Sequence, residues 1–447
     1  MVNSNYRSVI YGWFTRSFPA FACCLTMAIT GPSIRADTII VDGFSAISAG
    51  RGGANIAFAD NGAMLLENPA AMVNMDAFTF VDGSAAILVA DFNYKDPQND
   101  ANGRIHFPDN PGAVGEIAFI QKSQDGNSAF GIGIFVPAGY GSHFRLNPPP
   151  LPLPGWPTAK ETYEGFDMIV KVLIGGAIRV NDRLSVGANA GFAFNHTILD
   201  APYIFQTGPF AGAPTLTDFS STGFAPAWAV SMHYKLSEKT MIGLSYTGEI
   251  RLNMEGDVNS TVFTAMGPLP TTSFDGQLDL RYPQSVGFGL KHEIDKKRRL
   301  GIDVIWYNWK NSSKSLDFKF TNPSNPGLFP AVVRDSLPLN WDDSISIKVG
   351  FECEKDDGTI LRCGYAFHDN AIPGSTITPL IPANLEHTVT FGITKTCGEK
   401  SHIDFAYMYS WGPEQPTNTS AILGGDYSFA TVRSVYHVFY LGYGYSE

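Results

Sequence analysis

The chain has 447 residues, 44% hydrophobic, 13% aromatic and 16% charged, with a formal net charge of -11. That acidic balance disfavours nucleic acid as a partner. No run beyond the N-terminus approaches the roughly 18 apolar residues of a membrane-spanning helix, whereas a mean hydropathy of -0.03 is compatible with barrel strands, which are apolar on one face alone.

Residues 1–36 have the layout of a secretory signal peptide. Arg7 and Arg16 supply the positive start, 18–30 the apolar core, and Ile34-Arg35-Ala36 a cleavage site with the cut before Asp37. Cys23 and Cys24 would leave with it. Residues 37–76 do not alternate. They carry Gly43, Gly50, Gly52, Gly53 and Gly62, followed by Asn68-Pro69-Ala70-Ala71-Met72. Asn68 has the chemistry of an N-cap and Pro69 that of the first helical residue. Ile56, Phe58, Met64, Leu65, Leu66 and Met72 call for burial. This segment is therefore expected to be an internal plug, the alternative being a free periplasmic tail.

From residue 77 onward the side chains alternate with period two, which places successive residues on opposite faces of a strand. Fourteen segments emerge, near 77–94, 112–122, 128–137, 166–180, 184–198, 223–235, 239–253, 275–291, 299–310, 341–354, 359–369, 385–396, 401–411 and 429–445. Short turns such as Asp125-Gly126-Asn127 and Asp356-Asp357-Gly358 alternate with long connections, which follow the odd-numbered strands. An even strand number with that two-beat rhythm predicts an all-β fold, a 14-stranded antiparallel transmembrane barrel with both termini on the periplasmic side. The domain boundaries follow as signal peptide 1–36, plug 37–76 and barrel 77–447. Fourteen strands enclose more space than side chains fill, which gives the plug its place in the lumen.

Several stretches then resemble one family. Gly50-Arg51-Gly52-Gly53-Ala54, Ala59-Asp60 and Asn68-Pro69-Ala70 are similar to the hatch signature of the FadL/TodX proteins. The segment 130–139, Tyr282-Pro283-Gln284-Ser285 and Arg362-Cys363-Gly364-Tyr365-Ala366 agree with strands of that family in order. The resemblance implies an outer-membrane transporter of long-chain fatty acids or aromatic hydrocarbons. It also implies a monomer surrounded by outer-membrane lipid and lipopolysaccharide, placed there by the barrel-assembly machinery, without cofactor or metal. The family ends on an aromatic residue; here Ser446 and Glu447 follow Tyr445.

Four groups of residues are expected to carry function. Gly131, Gly133, Pro137 and Gly139 in the third strand mark a bulge or kink, because proline cannot donate to the ladder. In the family such a kink opens the wall sideways, with the Asn68, Pro69 and Ala70 stretch lying against it. Tyr203, Ile204, Phe205 and Phe210 after strand five, with Val262, Phe263, Met266 and Leu269 after strand seven, are apolar enough for cargo capture, the alternative being loops packed on one another. Arg251, Arg281, Lys348 and Arg362 have the parity of lumen cations for a carboxylate cargo, the alternative being a ladder with Glu249, Asp279, Glu352 and Asp303. Cys353 and Cys363 could form a disulfide across their hairpin or face lipid as free thiols. A diffusion porin and a barrel hydrolase are the rival classes. The plug argues against the first, and the lack of a nucleophile motif against the second, His402 and Asp404 being read as a lumen polar pair.

Overall fold

The computed structural model describes residues 39–104, 113–382, 384–424 and 427–447, the Ala113 side chain excepted. The expected signal peptide and its cleavage site lie outside them. Fourteen antiparallel strands form a closed barrel: β1 Thr79–Lys95, β2 Ala113–Lys122, β3 Ser128–Leu146, β4 Glu161–Arg179, β5 Leu184–Ile204 and β6 Pro214–Ser237. The next four each come in two halves: β7 Thr240–Thr247 and Ile250–Thr264, β8 Thr272–Tyr282 and Ser285–Glu293, β9 Arg298–Tyr307 and Ser315–Thr321, β10 Val332–Pro338 and Ser344–Glu354. β11 Ile360–His368, β12 His387–Thr396, β13 Ser401–Trp411 and β14 Thr431–Ser446 complete the wall. β14 closes on β1 over the whole run from Phe80 opposite Ser446 to Lys95 opposite Thr431. The two residues after Tyr445 are part of this seam, where the Phe78 and Thr79 amides donate to the Glu447 carbonyl.

Outward positions carry an apolar belt. Ile87, Ile117, Phe130, Ile132, Ile174, Phe192, Phe224, Phe288, Ile345, Phe391, Phe405 and Leu441 are exposed, as lipid-facing residues of a barrel are. Inward positions hold small or polar residues such as Ser185, Asn189, Ser245 and Ser346. The segments of the sequence reading recover the fourteen strands, but β3 to β10 run further. The break residues of β7 to β10 also change the phase. In β7, Gly243 and Ser245 face inward; after Gly248-Glu249 the inward residues are Ile250, Leu252 and Met254. In β8, Leu278 and Tyr282 face inward on one side of Pro283-Gln284 and Gly287 and Gly289 on the other. β9 and β10 do the same around Asn308–Lys314 and Leu339–Asp343, turning Phe320, Val333 and Leu337 inward. Below the breaks the outer face is greasy; above them it is polar.

Inside the barrel sits the hatch, residues 39–76, with helices α1 Ala46–Gly50 and α2 Met64–Glu67 and a 3₁₀ turn Pro69–Asn74. Ser45 caps α1 through a reciprocal pair with Ser48. Pro69 opens the 3₁₀ turn as expected, but Asn68 does not cap it. Its side-chain amide instead donates to the carbonyls of Ile56, at 2.7 Å, and Met232 of β6, at 3.2 Å.

Candidate functional site

The hatch is bound to the wall by buried polar contacts. Arg51 is 0% exposed, reaches Asp60 with both terminal nitrogens at 2.7 and 2.9 Å, and reaches Glu352 of β10 at 3.0 Å. Its guanidinium lies 3.7 Å from the centre of the Phe58 ring. Glu352 also accepts from Arg362 of β11 at 2.6 Å. Asp42 pairs with Lys348 at 2.9 Å and with His368 at 2.6 Å. Burial alone would raise the Asp42 carboxyl; the charges of His368 and Lys348 outweigh it and hold the group well below the usual carboxylate range. Asp303 of β9 accepts from the amides of Asn55 and Ile56 at 2.6 and 2.9 Å. Each of these charges is compensated, as burial requires.

These contacts decide the fate of the four cation candidates. Lys348 and Arg362 face inward but are engaged, Lys348 with Asp42 of the hatch and Arg362 with Glu352 of the wall, which also takes Arg51. Arg251 and Arg281 do not face the lumen: they lie on the outward face of the upper half-strands, paired with Glu249 and Asp279 at 2.8 Å, and the Arg251 side chain is 69% exposed. The phase change at Gly248-Glu249 and Pro283-Gln284 reverses their expected parity. The ladder partners Glu249, Asp279 and Glu352 were legible; the side of the wall was not.

A cation that no motif indicated takes their place. Lys171 of β4 is 9% exposed and makes no ion pair among the described residues. It lines a cavity of about 110 Å³ with Ile40, Phe44, Ile56, Leu66, Ile169, Tyr282 and Tyr307, and with Glu67 and Lys348 as further polar groups. Pro137 and Ala138 of β3 form part of the same lining.

At that point the wall is irregular. Among the described residues, β2 pairs with β3 as far as Glu116 opposite Phe135. The register of β3 against β4 shifts between Phe135 and Ala138, so the bulge falls at Val136-Pro137. Gly131 and Gly133 precede it within regular pairing. Beyond the bulge the free edge of β3 is taken by the hatch: Ile40 bridges Ala138, the Val41 amide donates to the Pro137 carbonyl at 3.1 Å, and the Gly139 amide to the Ile39 carbonyl at 3.1 Å. The Asn68-Pro69-Ala70 stretch does not lie against this bend. The Ala70 amide donates to Ser231 of β6, and Ser185 of β5 donates to the Ala70 carbonyl, both at 3.0 Å.

The extracellular apolar residues pack inward on one another. Ile204, Phe205, Val262 and Phe263 are buried, and Tyr203, Phe210 and Leu269 half-buried. An aromatic chain links Tyr203, Phe205, Phe210, Phe329 and Phe274 with ring centres 5.3 to 6.1 Å apart. The Tyr203 hydroxyl donates to Asp335 at 2.6 Å. Met266 alone of the eight is fully outside, 96% exposed. Cys353 and Cys363 are free thiols; the register sets Cys353 opposite Leu361 and Phe351 opposite Cys363, so they do not face each other.

A lipid-facing barrel plugged by its own N-terminal segment, with an apolar cavity against a bent strand, defines an outer-membrane channel for apolar molecules. Residues 27–446 match the family model described as outer membrane protein transport protein (OMPP1/FadL/TodX), and the chain belongs to that family of Gram-negative outer-membrane transporters of hydrophobic substrates, which are not enzymes. It is 21% identical over 401 residues to the long-chain fatty acid transport protein of Escherichia coli O6:H1, covering 80% of this chain and 82% of that one. Its fold matches a FadL homologue of Pseudomonas aeruginosa with a TM-score of 0.73 at 16% identity, over 92% of this chain and 100% of the other. The toluene transporter TodX of Pseudomonas putida matches with a TM-score of 0.73 at 16% identity, over 92% and 99% of the two chains. The toluene transporter TbuX of Ralstonia pickettii matches with a TM-score of 0.72 at 19% identity, over 91% and 98%.

Proposed function

We propose that the protein moves fatty acids, aromatic hydrocarbons or similar apolar compounds through the outer membrane by a sideways route. Cargo is captured by the extracellular aromatic chain around Phe205, Phe210 and Phe329, passes into the cavity beside Lys171, and leaves through the wall at the β3 bulge. A greasy molecule gains about 0.8 kcal/mol per methylene by staying out of water, so an aqueous exit would oppose its release. The single observation that carries the reading is the patch at Ala138: above Phe135 β3 has no β2 partner among the described residues, and residues 39–41 of the hatch pair there, with Ile40 lining the cavity. A closure made from the hatch can open without breaking the barrel ladder.

The cavity volume of about 110 Å³ approaches that of an engineered apolar cavity, about 150 Å³, that admits benzene. A longer chain would thread its tail toward the bulge. Lys171 gives an acidic head group a partner that Lys348 and Arg362, engaged by Asp42 and Glu352, do not offer.

The test is a disulfide lock. Ile40 and Ala138 form a non-hydrogen-bonded antiparallel pair, the spacing at which two cysteines can join. In proteoliposomes, the oxidised Ile40→Cys/Ala138→Cys variant is expected to lose transfer of a fluorescent fatty acid and to regain it on reduction. Equal transfer in both redox states would refute the sideways route.

A further inference from the structure

We infer that Asp82, His402 and Asp404, with Glu116 beside them, form a divalent transition-metal site that fastens the barrel seam to the hatch. The groups come from three strands: Asp82 from β1, Glu116 from β2, and His402 and Asp404 from β13. β14 lies between β1 and β13, and its Gly444 stands opposite Asp82 on one side and His402 on the other. A methyl group on Gly444 would lie 2.2 Å from both Cε1 and Nε2 of His402. The missing side chain is what lets the imidazole reach across the seam strand. Gly442, opposite Asp404, clears the next row in the same way.

The donor atoms converge. One ligand atom each from Asp82, His402 and Asp404 fall within 4.8 Å of one another. His402 Nε2 and Asp404 Oδ2 are 3.3 Å apart, yet neither has a hydrogen-bond partner among the described residues. Two ligands of one tetrahedral ion with bonds of about 2.0–2.1 Å stand at about that separation. Glu116 is the independent observation: it is 7% exposed, and among the described residues its carboxyl meets no cation and no donor other than the Asp82 carboxyl beside it. It points to the same place, because Glu116 Oε2 and the Asp82 Cβ both border Gly62 of the hatch. Three buried carboxylates thus face one imidazole. Arg362, which bears on Asp404 through Thr394, is engaged with Glu352. Buried carboxylates are paired or hold a metal, and an imidazole with carboxylate oxygens suits Zn²⁺ or Mn²⁺. The site also touches the hatch directly, since the Gly62 amide donates to Asp82 Oδ2 at 2.7 Å. An ion there would tie β1 to β13 across the seam and fix the start of α2.

The experiment uses the full-length protein in detergent, stripped with EDTA and titrated with Zn²⁺ alone, followed by calorimetry and by thermal unfolding. One equivalent is expected to bind and to raise the unfolding temperature, and His402→Gln is expected to weaken that binding by about 100-fold. Gly444→Ala keeps every ligand but fills the space over the seam, and is expected to weaken Zn²⁺ to a similar extent. Heat-modifiable gel mobility reports whether each variant has formed its barrel. No binding to the wild-type protein, or one equivalent bound equally well by folded His402→Gln, would overturn the assignment.

Discussion

Gly364 of β11 lies directly beneath Gly52 of the hatch: a methyl group at Gly364 would stand 2.2 Å from the Gly52 amide nitrogen. Gly52 itself has φ +67, a conformation glycine adopts without strain. Backbone meets backbone here, with no side chain able to give way. Gly364→Val is therefore expected to dislodge the hatch and raise single-channel conductance in planar bilayers, with the barrel intact by gel mobility. Gly83→Ala, whose nearest neighbours lie at 3.8 and 3.9 Å, should conduct like the wild type.

Arg51 holds the same corner through charge. Arg51→Met leaves Asp60 without its guanidinium and Glu352 with Arg299 and Arg362 only, and removing one partner of a buried pair costs about 3–5 kcal/mol. The variant should show a separate low-temperature transition by calorimetry, assigned to hatch release, with increased ion leak. A single transition at the wild-type temperature would remove Arg51 from this role.

Glu67 gives the hatch a pH dependence. Burial pushes its carboxyl up to about 8 despite the lowering influence of Lys348 and Arg51 and the Asn55 hydrogen bond, with Asp303 adding to the rise. The folded protein then holds a proton that the unfolded chain releases near its ordinary value of 4.5. That contribution is fully present below 4.5 and is lost as pH rises through about 8. Melting temperature should fall across this window in the wild type and stay flatter in Glu67→Gln.

Lys171 and the two outward arginines separate two cargo readings. Lys171→Met is expected to weaken binding of a fatty acid about tenfold, equivalent to about 1.4 kcal/mol, and to leave a neutral aromatic hydrocarbon unchanged. Arg251→Ala and Arg281→Ala should change neither. Equilibrium binding of each ligand in detergent decides it.

The barrel was legible because lipid enforces it. Every lipid-facing strand must alternate, so residues such as Phe192, Phe288 and Phe405 announced the wall and the count of fourteen. The plug was legible because Leu65 and Met72 had no strand to belong to. Arg251 and Arg281 were misplaced because period two cannot register a phase change across a two-residue break, and Gly248 and Pro283 were the available signals. The upper halves of β9 and β10 were missed for the same reason, their greasy faces being turned inward like those of a loop packed on itself. The bend in β3 was half legible: Pro137 marked it, but pairing between Ile40 and Ala138 joins residues nearly a hundred positions apart. Lys171 carried no motif, and its significance arises from burial without an ion pair among the described residues. The ligands at the seam carry no metal spacing because they are gathered across strands rather than along one.

The phase changes in β7 to β10 also fix how deeply the protein rides. Below Gly248, Pro283, Asn308 and Leu339 the exterior suits oil; above them it suits water. Sliding toward the cell would drown Arg251 and Arg281 in hydrocarbon, and sliding away would wet Phe288 and Ile345. The four interruptions therefore act as a waterline drawn on one flank of the hull. They set the height of the Ala138 bulge relative to the surrounding lipid.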